Sequence, residues 1–168
     1  MESMSKPLIR LLGQGVRAAT KLRGGGSAFP GLVMEKLHPD FVAEELAKLP
    51  YGVVVVSGTN GKTTTVGMVD SILKAAGKKA IQVGNVGMPI VYAIADDEPY
   101  EFFAVELSSF QLHWTYSMSP YASVVLNIAE DHVDWHGSFD AYKADKARVY
   151  EHTQVACIFN TDHVDTLR

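Results

Sequence analysis

The stretch VVVVSGTNGKTTTVGMV, Val53 to Val69, decides how the rest of the chain is read. Its opening valines read as a strand buried on both faces, because β-branched side chains suit the pleated backbone and a strand with one wet face alternates with polar residues. Ser57-Gly58-Thr59-Asn60-Gly61 then forms a run of small, turn-forming residues through which the backbone can bend tightly. Lys62, Thr63, Thr64 and Thr65 open a segment in which Val66, Val69, Ile72 and Leu73 recur at helical spacing. A glycine-containing turn running into a helix N-terminus aims free N–H groups at one point, and Lys62 adds a full positive charge there. This is a phosphate cradle made of Gly58, Thr59, Asn60, Gly61, Lys62, Thr63 and Thr64, with the Thr63 hydroxyl where such a loop holds Mg²⁺. The loop is a variant, since Val56 stands where the usual first glycine would be and the leading glycine is Gly58. A turn carrying a solvated lysine is the plainer alternative; the strand before the loop and the helical pattern after it favour the cradle.

The 168 residues, 47 % hydrophobic and 20 % charged, suit one folded domain. A net charge of −4, without a block of Lys and Arg among aromatics, argues against nucleic acid as a partner. The single cysteine, Cys157, lies in the apolar run Val155 to Phe159 and is expected to be a buried thiol in a reducing, cytoplasmic setting. No apolar stretch approaches the roughly 20 residues that cross a bilayer, so no transmembrane segment is expected.

Residues 1–50 form a basic, helical segment by pattern. Leu8, Ile9, Leu11 and Leu12 lie among Lys6, Arg10, Arg17, Lys21 and Arg23, as in a docking helix or, less simply, a membrane-surface helix. Gly24-Gly25-Gly26-Ser27 is a break, and Leu32 to Leu49 is a second helical pattern stopped by Pro50. Beyond the loop, strands are expected at Lys79–Val83, Phe102–Leu107, Ser123–Asn127 and Val155–Asn160. Helices are expected at Lys62–Ala76, Pro89–Ala95 and Phe139–Tyr150. The alternation predicts an α/β fold, a mostly parallel sheet with flanking helices of the phosphate-loop NTPase kind, over residues 51–168. Ligands in such sheets sit beyond the carboxyl ends of the strands.

Polar residues cluster at those ends. Glu106 closes the strand Phe102–Leu107 and would be largely dehydrated, so it needs a cation or strong donors; Mg²⁺ shared with phosphates and Thr63 would serve, and an ion pair with Lys or Arg is the alternative. Ser108 and Ser109 read as loop and helix-cap residues, since no nucleophile elbow surrounds them. Asn127, Glu130, Asp131, His132 and Asp134 make a dense polar turn in which His132 is placed for metal or phosphate contact. Trp135 and His136 are expected on the loop surface. Tyr142, Lys146, Val149 and Tyr150 share a helical face, from which a lysine ordinarily reaches solvent.

The blocks SGTNGKTTT, GNVGMP, AVELSSFQL, LNIAEDHVDWHGSFDAYKADKARVY and FNTD, in this order, resemble the central ATPase domain of the Mur ligases over about residues 52–162. Among these ligases the resemblance is to the branch that adds D-glutamate. It implies ATP-dependent amide-bond formation in peptidoglycan precursor synthesis, joining UDP-N-acetylmuramoyl-L-alanine to D-glutamate by way of an acyl phosphate. It also implies roles for residues. Lys62 would bind the β- and γ-phosphates of ATP, Thr63 and Glu106 a first Mg²⁺, and His132 a second. Asn85, Ser108 and Asn127 would face the UDP-muramoyl-peptide. Lys146 would be carbamylated by CO₂, becoming an anion that supports the second metal.

Two departures accompany the resemblance. Residues before the loop look instead like the start of a Mur-ligase-like subunit that amidates lipid II with a glutaminase partner, so the chain reads as a mosaic of the two; such an amidating subunit is the alternative function, as is a non-catalytic nucleotide-binding module. The chain also stops at Arg168, soon after the strand Val155–Asn160. The remaining sheet and a C-terminal domain for the amino acid are therefore expected to be missing. The isolated chain is expected to bind nucleotide weakly and not to turn over D-glutamate, and to carry an open sheet edge with exposed apolar surface.

Overall fold

The computed structural model describes residues 41–167. The basic N-terminal pattern and the start of the Leu32–Leu49 pattern lie outside these residues; what is described of the latter is a short helix, α1 (Phe41–Leu46). The elements that follow alternate: β1 (Gly52–Ser57), α2 (Lys62–Ala75), β2 (Ala80–Gly84), α3 (Ile90–Ile94), β3 (Phe102–Glu106), α4 (Ser109–His113), β4 (Ala122–Val125), α5 (Val133–His136), α6 (Phe139–Ala147) and β5 (Ala156–Phe159). The expected helix Phe139–Tyr150 is α6 followed by a 3₁₀ turn at Arg148–Tyr150. The other expected elements are present with ends shifted by one or two residues, where end assignments are least determined.

The five strands form one sheet in the order β2-β3-β1-β4-β5, every pairing parallel. β1 lies at the centre, as its valines require. Val53 and Val55 join Val83, Phe103 and Val105 in a cluster on one face, while Val56 packs with Ala104 and with Val66 of α2 on the other. Parallel register brings the carboxyl ends together: Val56 is level with Glu106, Ser57 with Val125, and Gly84 with Glu106. The polar residues that follow these strands therefore meet along one edge.

At the periphery one apolar residue of the helical pattern faces outward, and one expectation of burial fails. Ile72 is exposed, because at ~100° per residue it is turned about 240° from Val66 and faces away from the sheet. Cys157, expected to be buried, is exposed, as are Ile158 and Phe159. Neighbouring strand residues point to opposite faces, so Cys157 and Ile158 report both faces of β5 as uncovered among the described residues. The reason is position, since β5 lies at the sheet edge and pairs only with β4.

Candidate functional site

The loop between β1 and α2 bends where glycine allows it. Gly58 has φ +144° and Gly61, the residue preceding α2, has φ +81°, both in the region side-chain-bearing residues rarely adopt. Asn127, just past β4, clamps this loop. Its backbone carbonyl accepts from Thr59 N at 3.0 Å, its side-chain Oδ1 accepts from Asn60 N at 2.9 Å, and its Nδ2 donates to Asn60 O at 3.0 Å. Both amide groups of Asn127 thus hold the loop's shape. The first-turn N–H groups of α2 have no intrahelical acceptor and sit at the positive end of the helix dipole.

Helix α6 supports the loop from below. The Tyr142 hydroxyl lies 2.9 Å from Thr59 Oγ1, and one turn on, Lys146 Nζ donates to Gly58 O at 2.9 Å. Lys62 folds back to donate to the same Gly58 O at 3.0 Å and to Thr59 O at 2.8 Å. Lys146 is therefore not on a solvated face; only 2 % of it is exposed, with its ammonium over the Tyr142 ring. Burial, followed by the charge of Lys62 and opposed by Asp131, pushes its pKa down to about 8.

At the end of β3, Glu106 is 1 % exposed. Thr63 Oγ1 donates to its Oε2 at 2.7 Å and Asn85 Nδ2 to its Oε1 at 3.2 Å. No Lys or Arg of the described residues pairs with it, so the alternative of an ion pair is not what the structure contains. A buried carboxylate held by two neutral donors is a strong acceptor still open to a cation. Lys62 and Thr63 are consecutive, so the first turn of α2 joins the lysine side of the loop to this acidic end.

Other expected residues lie apart from that pair. His132 precedes α5 with φ +51°; its ring packs on Phe110 at 4.7 Å between centroids, and its Nε2 is 3.4 Å from Asp131. It shares no hydrogen bond with Glu106, Lys62 or Lys146. Ser108 is the cap of α4, its hydroxyl donating to Gln111 Oε1 at 3.0 Å and accepting from Gln111 N at 3.4 Å.

With this geometry in place, comparison with known proteins is decisive at the level of family: a model of the Mur ligase middle domain matches residues 56–167. The chain belongs to the Mur ligase middle domain family. It is 54 % identical over 107 residues to the UDP-N-acetylmuramoylalanine--D-glutamate ligase of Streptomyces coelicolor, a match covering 64 % of this chain and 23 % of that relative. The protein of the same name from Leifsonia xyli is 49 % identical over 120 residues, covering 68 % and 23 %. The chain thus spans about a quarter of the length of these curated relatives. Among solved structures, a MurF ligase from Thermotoga maritima in complex with ADP superposes with a TM-score of 0.63 at 22 % identity, over 75 % of this chain and 32 % of that one. A MurF from Acinetobacter baumannii gives 0.58 at 22 %, over 75 % and 29 %. These structural likenesses speak for the fold.

Within this Mur ligase domain, one group of polar residues had no signal in the sequence. His136, expected on the surface, has a wholly buried side chain: its Nδ1 meets Asp145 Oδ2 at 2.7 Å and its Nε2 meets Ser109 Oγ at 3.0 Å. His113 Nδ1 lies 2.9 Å from the same carboxylate. Trp135 is exposed, as expected. The three charged or titratable residues come from three separate helices, so no local spacing could have linked them. Among the described residues, no helix is long and apolar enough to cross a membrane.

Proposed function

We propose that this chain is the phosphate-binding part of an ATP-dependent, cytoplasmic ligase that joins UDP-N-acetylmuramoyl-L-alanine to D-glutamate in peptidoglycan precursor synthesis. One observation carries the reading: Thr63, next to Lys62 in the first turn of α2, is hydrogen-bonded to the buried Glu106 of the neighbouring strand. The names of the relatives favour D-glutamate addition over the amidating alternative with a glutaminase partner.

In this reading the first-turn amides of α2, with Gly58, Thr59, Asn60, Gly61 and Thr64 shaping the loop, receive the phosphates of ATP. Lys62 exchanges its two loop carbonyls for the β- and γ-phosphates, a charge-assisted contact in place of neutral ones. Thr63 and Glu106 fit a Mg²⁺ ion: a buried carboxylate with only neutral donors, beside a hydroxyl and a phosphate site, is the oxygen-rich set that ion takes. When bound it would offset charge on the phosphoryl group in transfer. His132 and Lys146 would hold a second ion, with Lys146 as its carbamate. An amine brought to a pKa of about 8 has an appreciable neutral fraction near neutral pH, which is the form that adds to CO₂. Asn85 and Ser108 would face the muramoyl substrate, and Asn127 would shape that pocket while holding the loop.

Calorimetry with Mg-ATP tests the reading. Lys62→Ala and Glu106→Gln are each expected to weaken binding roughly 10- to 100-fold, the worth of a charge-assisted contact. Heats indistinguishable from wild type for both variants would remove the basis for the site and leave a module whose metal site never assembles.

A further inference from the structure

We propose that His113, His136 and Asp145 form a binding site for one divalent transition-metal ion of the Zn²⁺ class, distinct from the phosphate loop. His113 closes α4, His136 closes α5 and Asp145 lies in the second half of α6. One donor atom from each lies within 4.8 Å of the others. The two imidazole Nδ1 atoms approach the Asp145 carboxylate at 2.9 and 2.7 Å. Zinc bonds of about 2.0–2.1 Å in a tetrahedron set ligand atoms about 3.3 Å apart, so to admit the ion the two imidazole–carboxylate pairs open by about half an ångström while the two imidazoles, within 4.8 Å of each other, turn inward toward that spacing.

The surroundings suit a ligand set as well as the distances do. Ser109, itself 2 % exposed, faces Nε2 of His136 and can accept its N–H, which leaves Nδ1 with a lone pair turned toward the site. Metal-bound histidines ordinarily have such an outer partner, which selects the tautomer and holds the ring. Trp135 packs edge-on to His113 and His136 at 5.1 and 4.5 Å between centroids, and Phe110 stacks on His136 at 5.5 Å, restricting both imidazoles. His136 is closed to solvent while the His113 side chain is 38 % exposed, so one side is open for entry and for a water as fourth ligand. Two imidazoles and one carboxylate select Zn²⁺, Co²⁺ or Ni²⁺ over the all-oxygen preference of Mg²⁺. An ion here would tie α4, α5 and α6 together. It would thereby brace the segment His132 caps and the helix that carries Lys146. Without an ion, the same groups close as two imidazoles donating to one carboxylate, and the experiment separates the two states.

The chain, without an affinity tag and after chelator treatment, is titrated with Co²⁺ in excess Mg²⁺, so that oxygen sites are already filled. Wild type is expected to develop the visible absorption of four-coordinate Co²⁺, saturating at one equivalent and bleached by Zn²⁺. His113→Gln, chosen for its partly exposed position, is expected to weaken Co²⁺ binding by at least about tenfold while circular dichroism is unchanged. Zn²⁺ at about a hundredfold excess over its Kd should raise Tm by roughly 5–10 °C in wild type and not in the variant. Diffraction at the zinc absorption edge on soaked wild-type crystals, which needs no variant to fold, should place the ion between the three side chains. No Co²⁺ band in wild type, a band retained in His113→Gln, or an ion located elsewhere would each overturn the proposal.

Discussion

Gly84→Ala is expected to lower the unfolding free energy by roughly 3–5 kcal/mol, a large share of the 5–15 kcal/mol that holds a domain of this size. A Cβ added at Gly84 would lie 2.2 Å from the carbonyl oxygen of Glu106 and 3.1 Å from its carbonyl carbon and nitrogen. These are backbone atoms of a paired strand, so no side chain can swing aside. Gly84 also has φ +118°, which adds strain for any residue with a Cβ. The two strands are level at this point, and Asn85 N donates to Glu106 O at 2.8 Å, so relief requires β2 and β3 to part where Glu106 is held. Urea unfolding should show a much lower midpoint, and Mg-ATP affinity should fall with it. Gly77→Ala is the control: it has φ +75° but nothing within 4 Å, and should cost only about 1 kcal/mol. Equal midpoints for the two variants would show that β2 and β3 separate freely beside Glu106.

Lys146→Met is expected to make the chain more stable at pH 7, by roughly 1–3 kcal/mol, while removing the amine that the carbamate reading needs. The pKa of Lys146 is pushed down to about 8 by burial first and by Lys62 second. In the unfolded chain it keeps the ordinary value near 10.5. Below pH 8 both states carry the charge and the cost of burying it is fully present. Between about pH 8 and 10.5 the folded state gives up its proton while the unfolded state keeps it, so stability rises with pH by up to about 3 kcal/mol. A methionine of similar length has no charge to bury. Gly58 O keeps a donor from Lys62, which limits the loss from the missing bond. Urea unfolding at pH 7 and 10 should therefore show a rise for wild type that is absent in the variant. Equal slopes would mean that Lys146 is not the group responsible.

Sequence reading went furthest where local pattern and chemistry coincide. The valine run required a central strand, and the sheet order places β1 there. Glu106 needed donors because of where its strand ended, and Thr63 and Asn85 supply them. It went wrong where the deciding partner is distant in the chain. The apolar run around Cys157 suits an interior strand, yet pairing leaves β5 at the edge. Lys146 has the flexible stem of a solvated lysine, and its burial follows from α6 lying under the loop, with Tyr142 and Gly58 as neighbours. His136 sits in a polar stretch, and its burial is made tolerable by Asp145, Ser109 and the rings of Phe110, Trp135 and Tyr142.

The amino-acid order alone determined the strand, tight glycine turn and helix from which the proposed phosphate site is built, since backbone preference and hydrophobic period act over a few neighbouring residues. Only the tertiary structure decided which side chains share a space: two lysines on one loop carbonyl, a carboxylate under a threonine, and two histidines on one aspartate. Those meetings depend on strand order and helix placement. Their energies come from desolvation and from charges brought within a few ångströms, which residues far apart in the chain do not announce.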